Sequence, residues 1–311
     1  MIVAVCLFTY YKGITIANPV LAAGDKGIFN YELLNIYKDP TADIKPLDPN
    51  LTPKQINEQI DQIKGITPKA PSDRNLYGVA KGRNVIVIQM ESFQDFLINA
   101  KVGDQEITPN LNKLLGDSLY FPNVYQQIGP GNTSDAEFMM NTSLFPQSYS
   151  ATSISEGNRE YKSLPKLLHS QGYNTMTFHA DELKFWNRDE LYPALGFDHF
   201  YERPEYGEKD IVGLGPSDDV LYDKGIEKLK GSSTPFYAML VSMSSHHPYK
   251  IPDDKKGLDL PSSYDDSKIV ADYLQAQHYT DEALGRFIQK LKDEGLWDNS
   301  IILFYGDHFG L

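Results

Sequence analysis

The sequence is poor in cysteine. Cys6 is the only cysteine in 311 residues, so no disulfide can form within the chain. Disulfides are typical of oxidising compartments, yet many bacterial surface proteins also lack them. The cysteine content therefore excludes a disulfide-stabilised fold and leaves the cellular compartment open.

Positive charge is also scarce. The chain has 29 lysines and arginines against 42 aspartates and glutamates, which gives a formal net charge of −13. Nucleic acids and anionic membranes attract basic surfaces, so this balance argues against either as a partner held by general electrostatics. An anionic phosphate substrate would have to be attracted locally, by a metal ion, Arg188 and histidines.

A long hydrophobic run is missing as well. The apolar run Ile2–Tyr11 stops at Lys12, and it is about half of the ~20 residues that cross a membrane. No basic segment precedes it, so it does not resemble a signal peptide. Composition alone favours a first strand or helix of the fold. The alternative is that residues 1–11 are the end of a transmembrane helix that begins upstream.

Residues 12–83 have the composition of a linker with one short helix. Seven prolines interrupt this segment, and proline breaks regular structure. Thr52 and Pro53 are typical of the N-cap and first position of a helix. A helix is therefore predicted from there through Ile63, with Gly65 as its end.

From residue 84 onward, strands and helices alternate. Apolar runs predict strands at Asn84–Met90, Tyr173–His179, Phe236–Ser242 and Ser300–Tyr305. Helices are predicted from Thr108, from Ser163 to a stop at Gly172, and over Lys268–Glu294, which carries one apolar face. The alternation indicates an α/β fold with a mostly parallel sheet sandwiched by helices.

Polar residues collect at the carboxyl ends of the predicted strands, where open α/β sheets bind ligands. These residues are Glu91, His179, His246, Asp307 and His308. A carboxylate beside an imidazole offers the mixed oxygen and nitrogen ligands that Mn²⁺ and Zn²⁺ accept. Glu91 alone is at least as well explained as a solvated carboxylate, and paired histidines such as His246 and His247 are often surface groups. Asp307 beside His308 after an apolar strand is more informative. The agreement of all these residues at one sheet edge is what supports a metal site.

A glycine-rich loop supplies a nucleophile. Residues 129–133 lead into a predicted helix that has Thr133 in its first turn. Ser134 and Glu137 have the spacing of a capping box, which would free Thr133 from the capping role that threonine often has. The N–H groups at a helix start favour an anion, so the Thr133 hydroxyl can attack a phosphorus or sulfur centre. The predicted metal site around this hydroxyl is Glu91, Thr133, Asp307 and His308.

The segment after His179 mixes side chains that suit a phosphate ester. Arg188 offers a planar fork for phosphate oxygens, although most arginines are only surface charges. Asp181 and Trp186 lie in the same connector, and a tryptophan there is more often a core or lid residue than a ligand contact. An imidazole such as that of His246 can accept or relay a proton beside a phosphate.

Five motifs, in this order and spacing, resemble the extracellular catalytic domain of the lipoteichoic acid synthases. Those are phosphoglycerol transferases of the sulfatase and alkaline phosphatase superfamily. The motifs are residues 84–96, 131–138, 185–189, 246–249 and 305–308. The similarity extends from about residue 75 to the end of the chain. Pro130 in the nucleophile loop and His247, where relatives often have an aromatic residue, depart from the pattern.

The resemblance implies roles for single residues. Mn²⁺ ligands, with Mg²⁺ as the alternative metal, are implied for Glu91, Thr133, Asp307 and His308, and Thr133 is also the implied nucleophile. Positions around the glycerol-phosphate group are implied for His179, Trp186, Arg188 and His246, with Asp181 as a further candidate. His246 is expected to take part in catalysis by positioning the substrate or moving a proton.

The resemblance also implies an arrangement and a reaction. Transmembrane helices precede such domains, so residues 1–11 become the end of the last one and 12–83 the linker. Residues 84–311 are then an alkaline phosphatase/sulfatase-like catalytic domain that lacks its C-terminal subdomain. We expect it on the extracellular side of a bacterial cell membrane. The expected reaction moves glycerol phosphate from phosphatidylglycerol to a glycolipid or a growing polyglycerol-phosphate chain.

Three alternatives stay open at this point. One is a hydrolase of the same superfamily, although residues 132–135 lack the Cys/Ser-x-Pro-x-Arg pattern of ordinary sulfatases. The second is a phosphoethanolamine transferase, which also uses a threonine but usually adds histidine ligands and disulfides. The third is a truncated surface module that binds a metal or a glycan without catalysis.

Overall fold

The computed structural model describes residues 50–310 except 64, 66, 68, 69, 71, 72, 233 and 234. Residues 1–11, for which the end of a transmembrane helix is expected, lie outside this part, as does most of the segment interpreted as a linker. The chain divides into two compact units, residues 1–81 and 82–311. Among the described residues, every helix is too short or too polar to cross a membrane.

The described part of the first unit contains one α-helix, α1 (Pro53–Ile63). The Thr52 backbone N–H donates to the Gln55 Oε1 atom at 2.9 Å, and the Gln55 N–H donates back to the Thr52 Oγ1 atom at 3.3 Å. This reciprocal pair is a capping box, and Pro53 fills the first helical position, where no N–H is needed. The predicted start and end of this helix are confirmed.

The second unit is an α/β structure. Its described strands are β1 (Asn84–Met90), β2 (Lys101–Val102), β3 (Gln105–Glu106), β4 (Asn174–His179), β5 (His199–Tyr201), β6 (Ile211–Val212), β7 (Gly215–Pro216), β8 (Phe236–Val241) and β9 (Ser300–Gly306). Its α-helices are α2 (Pro109–Leu114), α3 (Asn132–Thr142), α4 (Thr152–Ser155), α5 (Leu164–His169), α6 (Arg188–Leu195), α7 (Asp218–Lys230) and α8 (Lys268–Asp293). The four strands and four helices predicted from the sequence for this unit are present, and α2, α3 and α8 begin or end within one or two residues of the prediction. α5 ends at His169, before the predicted stop at Gly172.

The central sheet has five parallel strands in the order β5-β4-β8-β1-β9. One face packs against α2, α7 and α8 in a core that includes Ile86, Leu221 and Phe287. The other face packs against α3, α5 and α6 around Val87 and Phe138. The predicted mostly parallel sheet sandwiched by helices is therefore confirmed, and the carboxyl ends of the strands share one edge of the sheet.

Two features differ from the sequence-based expectation. β9 was expected to be a buried strand, but it is the last strand in the sheet order among the described residues, and its Ile301 and Leu303 are 46% and 39% exposed. The helices α4, α6 and α7 were not predicted. α6 follows Asn187, which adopts a left-handed conformation, and contains Pro193, so its sequence reads as a connector.

A buried carboxylate joins α8 to the start of α2. Asp281 is fully buried, and its two oxygens accept hydrogen bonds from the backbone N–H groups of Asn110 and Leu111 at 2.8 and 2.9 Å. These N–H groups belong to the first turn of α2, where no helical partner exists. Asp281 therefore caps α2 from another helix.

Removing this carboxylate should destabilise the fold. We expect Asp281→Ala to lower the free energy of unfolding by about 2–4 kcal/mol, because two buried donors lose their acceptor. The exposed Asp293→Ala change at the end of the same helix should stay within about 0.5 kcal/mol. Urea unfolding followed by circular dichroism measures both, and equal losses would contradict the capping role.

Candidate active site

Two carboxyl groups and one imidazole lie together at the carboxyl ends of two neighbouring strands. β1 and β9 pair in parallel with Met90 opposite Gly306, so Glu91 and Asp307 leave the sheet side by side. The His308 Nε2 atom lies 3.4 Å from a Glu91 oxygen and 3.5 Å from an Asp307 oxygen. Ligand atoms of the three residues all lie within 4.8 Å of one another. The parallel register therefore creates a cluster from residues far apart in sequence.

Thr133 faces this cluster from the start of α3. Its Oγ1 atom lies 3.5 Å from the Glu91 Oε2 atom and 3.5 Å from the His308 Nε2 atom. Glu91, Thr133 and Asp307 are each at most 6% exposed. The four predicted metal-site residues thus converge around a single small space, which we call the four-residue cluster (Glu91, Thr133, Asp307 and His308).

The loop before Thr133 is fixed by a buried aspartate. The Asp135 Oδ2 atom accepts hydrogen bonds from the N–H groups of Gly129 and Gly131 at 3.1 and 2.8 Å. A Cβ atom on Gly131 would come within 2.5 Å of the Asp135 carboxylate, so this close approach requires glycine. The glycine-rich loop therefore sets where α3 begins and where the Thr133 hydroxyl points.

The predicted capping box at Ser134 and Glu137 is wrong. α3 begins at Asn132 with Gly131 as its N-cap, and the Ser134 hydroxyl donates to the Gly131 carbonyl at 2.9 Å. The Glu137 carboxylate instead binds the Arg188 guanidinium, with Nη2–Oε1 and Nε–Oε1 distances of 2.6 and 3.0 Å. Glu137 therefore forms an ion pair with Arg188 and does not cap the start of α3.

The four-residue cluster suits a divalent cation. The Asp307 Oδ1 atom accepts from the N–H groups of Ser92 and His308 at 2.8 and 2.7 Å, whereas its buried Oδ2 atom has no hydrogen-bond partner. Burial, together with the negative charge of Glu91, raises the pKa of the Asp307 carboxyl well above its usual range. A buried carboxylate pair with an unpartnered oxygen is what a bound cation would neutralise.

The imidazole of His308 is oriented for the same purpose. Its Nδ1 atom lies 3.0 Å from the Phe309 carbonyl oxygen, which can only accept, so the proton belongs on Nδ1. Nε2 then keeps its lone pair and faces the carboxylates. Ligand bonds of about 2.1 Å place neighbouring ligand atoms about 3.0–3.4 Å apart, close to the spacing found in the cluster.

A second group of predicted residues lies around Arg188. The Arg188 side chain is 1% exposed, and its Nε and Nη2 atoms donate hydrogen bonds to the Glu137 carboxylate. The Tyr192 hydroxyl donates to the same glutamate at 2.6 Å. Although burial opposes the charge, Glu137 raises the pKa of Arg188 above its usual range. The Arg188 Nη1 atom is buried without a partner, so a donor is left for an anion.

His179 is held as a neutral imidazole. It ends β4 and its Nδ1 atom lies 2.9 Å from the Val241 carbonyl oxygen, so Nδ1 donates and Nε2 keeps its lone pair. Burial, with the positive charge of Arg188, lowers the pKa of His179 well below its usual range. Arg188 thus lies close enough to His179 for its positive charge to disfavour protonation of the imidazole.

His246 is half-buried in the loop after β8. Its Nδ1 atom lies 2.8 Å from the His247 carbonyl oxygen, which again leaves Nε2 with a lone pair. The loop is anchored by Asp218, a fully buried residue whose Oδ1 atom accepts from the N–H groups of Met243 and Ser244 at 2.9 and 3.0 Å. The charge of His246 is one of the smaller causes that lower the pKa of His179, after burial and Arg188.

Asp181 and Trp186 lie further along the same connector. Trp186 is half-buried, has a positive φ of 59° and contacts Phe185 edge-on. Asp181 is also half-buried, and its backbone carbonyl accepts from the Arg203 N–H at 3.1 Å. Within the described residues, neither side chain is hydrogen-bonded to the four-residue cluster.

Sequence reasoning missed Ser92, which supports two cluster residues at once. Its N–H donates to Asp307, and its hydroxyl donates to the Glu91 Oε1 atom at 2.6 Å. Ser92 has a φ of 54°, in the left-handed region that a serine rarely adopts. The sequence gives no sign of this conformation, although the position directly after Glu91 marks the residue as a neighbour of the site.

Several known proteins are similar to this chain in sequence. The sulfatase family model matches residues 83–310. The chain is 41% identical over 262 residues to the lipoteichoic acid synthase of Staphylococcus aureus (strain USA300). This alignment covers 82% of this chain and 40% of that protein. It is 38% identical over 248 residues to lipoteichoic acid synthase 1 of Bacillus subtilis (strain 168), with 78% and 38% covered.

A solved structure is similar as well. The lipoteichoic acid synthase LtaP from Listeria monocytogenes superimposes with a TM-score of 0.79 at 44% identity, covering 82% of this chain and 62% of that chain. This chain spans about 40% of the length of the curated relatives it matches. The resemblance to lipoteichoic acid synthases and the alkaline phosphatase/sulfatase-like fold are thereby confirmed, and the chain belongs to the sulfatase family.

Proposed function

We propose that this chain is catalytic-domain sequence of a metal-dependent phosphoglycerol transferase. The donor is phosphatidylglycerol, and the acceptor is a glycolipid or a growing lipoteichoic acid chain. Similarity to lipoteichoic acid synthases over 78–82% of the chain supports the reaction class. The observation that carries the proposal is the approach of the Thr133 hydroxyl to within 3.5 Å of both Glu91 and His308.

The proposed metal site consists of Glu91, Thr133, Asp307 and His308. A bound Mn²⁺, with Mg²⁺ as the alternative, would lower the pKa of the threonine hydroxyl and stabilise negative charge on phosphoryl oxygens. Ser92 holds Glu91 and Asp307 in place through its hydroxyl and its N–H. The carboxylates therefore do not need to rearrange when the site is filled.

Thr133 is the proposed nucleophile. Its oxygen forms a bond to phosphorus as the bond from phosphorus to the diacylglycerol oxygen breaks, and the hydroxyl proton passes to that leaving oxygen. A glycerol hydroxyl of the acceptor then attacks phosphorus, and the threonine oxygen leaves and regains a proton. His246 presents an Nε2 lone pair, so it can accept and return the proton or position the substrate.

The second group of residues forms the proposed glycerol-phosphate site. The free Nη1 atom of Arg188 donates to a phosphate oxygen, while Glu137 keeps the guanidinium in a fixed orientation. His179 stays neutral because burial lowers its pKa, so its Nε2 atom can accept a hydrogen bond from a glycerol hydroxyl. Trp186 and Asp181 complete the proposed surroundings.

The proposal includes an organisation of the chain. Residues 84–311 are the catalytic domain, 12–83 the linker with its short helix, and 1–11 the end of a transmembrane helix. The enzyme belongs to the cell envelope, at the bacterial membrane with the catalytic domain on the extracellular side. Its lipid donor is then reached by membrane attachment, because the net charge of −13 does not favour binding to an anionic surface.

Removal of the threonine hydroxyl tests the nucleophile. We expect Thr133→Ala to reduce release of diacylglycerol from a fluorescent phosphatidylglycerol by at least about 1,000-fold, since the Thr133 oxygen forms the proposed intermediate. Mass spectrometry should find glycerol phosphate on Thr133 of the wild type and none on the variant. Thr142→Ala, at the other end of α3, is the control and should turn over normally.

Undiminished turnover by Thr133→Ala would rule out the proposed nucleophile.

The destination of the glycerol phosphate distinguishes transfer from hydrolysis. A transferase should attach glycerol phosphate to an added glycolipid, whereas release of free glycerol phosphate with no labelled glycolipid would identify a hydrolase instead. Metal binding without any turnover would identify a binding module.

Charge removal at Asp307 tests the metal site. We expect Asp307→Asn to weaken Mn²⁺ binding at least about 100-fold, since even outer partners of a metal site contribute 10–100-fold. Saturating Mn²⁺ should raise the melting temperature of the wild type, because a ligand at 100 times its Kd stabilises the folded state by about 2.7 kcal/mol. The variant should show no such rise.

Isothermal titration calorimetry and thermal unfolding of the EDTA-treated chain supply these readouts. The exposed Asp298→Asn change is the matched control and should bind Mn²⁺ as the wild type does. Wild-type affinity in Asp307→Asn would remove Asp307 from the metal site.

A further inference from the structure

A polar residue lies near the carboxyl end of β1, directly after four apolar residues. Gln89 lies in β1, is completely buried, and follows Ile86, Val87 and Ile88, which are also fully buried. A buried amide is costly unless its donors and its acceptor are hydrogen-bonded. The partners of this side chain therefore show what it contributes.

Gln89 connects the nucleophile to the neighbouring strand. Its Nε2 atom donates to the Thr133 backbone carbonyl at 3.1 Å. Its Oε1 atom accepts a short hydrogen bond from the Tyr305 hydroxyl. Tyr305 lies directly opposite Gln89 in the parallel pairing of β1 and β9. The two side chains form a continuous connection from β9 through β1 to the start of α3.

The orientation of the amide follows from its partners. The Thr133 carbonyl can only accept, so the NH₂ end of Gln89 must face it. The oxygen end then faces Tyr305, whose hydroxyl donates. The Thr133 carbonyl thus prevents the amide from flipping, because a flip would leave two acceptors facing each other there, and the Tyr305 hydroxyl holds the oxygen end in place. The phenol acts on the nucleophile only through the glutamine.

The spacing relates this connection to the candidate active site. Gln89 in β1 precedes Glu91 by two residues, Tyr305 in β9 precedes Asp307 by two residues, and both acidic residues directly follow their strands. The strands that supply the two carboxylates therefore also hold the backbone of Thr133. A shift of α3 relative to the carboxylates would have to break the bond between Gln89 and Thr133.

We propose that Gln89 and Tyr305 are positioning residues for Thr133, and that they fix the distance of its hydroxyl from Glu91 and Asp307. The catalytic consequence rests on the function proposed above. Their loss should lower kcat and leave KM nearly unchanged, because Gln89 is bonded to the backbone of the nucleophile and Tyr305 is bonded to Gln89. A misplacement of about 1 Å in such a group costs on the order of 100-fold in rate.

The test compares three variants of the full chain. Gln89→Met removes both hydrogen-bonding groups at similar volume, and Tyr305→Phe removes one hydroxyl. The control is Tyr237→Phe in β8, on the other side of β1, where a fully buried tyrosine hydroxyl donates to the Asn141 side chain of the same helix α3 at 2.8 Å. Both tyrosine variants lose a hydrogen bond to an amide oxygen, but only Tyr305 leads to Thr133.

We expect kcat for diacylglycerol release to fall about 100-fold in Gln89→Met and at least about 10-fold in Tyr305→Phe. KM for phosphatidylglycerol should change less than about 2-fold, whereas Tyr237→Phe should keep wild-type kcat. Equal kcat in all four proteins, or a loss that simply follows thermal stability including the control, would overturn the proposal.

Hydrogen–deuterium exchange provides a readout that does not depend on activity. The amides of residues 129–138 should exchange faster in Gln89→Met and Tyr305→Phe than in the wild type and Tyr237→Phe. If the wild type releases no diacylglycerol, the proposed function has failed, and this measurement decides the positioning role by itself. Unchanged protection of residues 129–138 in both variants would refute that role.

Discussion

Two carboxyl groups, those of Glu91 and Asp307, are buried side by side, and the chemistry of the site depends on this arrangement. Both follow paired positions of β1 and β9, so the parallel register fixes their separation. Burial and mutual repulsion raise the pKa of Asp307, and one of its oxygens has no hydrogen-bond partner. Isolated buried charges are unfavourable unless they are paired or bound to a cation. The pair therefore fits a metal site far better than a structural role.

The surroundings keep these groups from moving apart. Ser92 binds both carboxylates, Asp135 fixes the loop before Thr133, and Asp218 anchors the loop that carries His246. These supporting residues are hydrogen-bonded to backbone groups or buried. A site in which the reacting group is held before the substrate arrives spends no binding energy on ordering it. The proposed phosphoglycerol transfer relies on this rigidity together with the free Nη1 atom of Arg188.

The sequence was sufficient to predict the strands and the parallel sheet. It was insufficient to predict which distant side chains contact each other or which strand lies at the end of the sheet. Apolar runs located β1, β4, β8 and β9, and parallel topology then placed Glu91, His179 and Asp307 at one edge. The spacing of Ser134 and Glu137 is compatible with a capping box and also with an ion pair between Glu137 and a distant residue. The partner of Glu137 is Arg188, 51 residues away, so the local pattern could not identify it. The exposure of Ile301 and Leu303 depends on sheet order, and the positive φ of Ser92 depends on its contacts. Neither is encoded in a short motif.

Anomalous diffraction at the manganese edge, from crystals of the chain grown with Mn²⁺, tests the central claim most directly. We predict one strong peak bound by a Glu91 oxygen, the Thr133 hydroxyl, an Asp307 oxygen and the His308 Nε2 atom. A peak elsewhere, or a metal at the carboxylates with the Thr133 oxygen outside its ligand shell, would contradict the assignment of Thr133 as a metal-activated nucleophile.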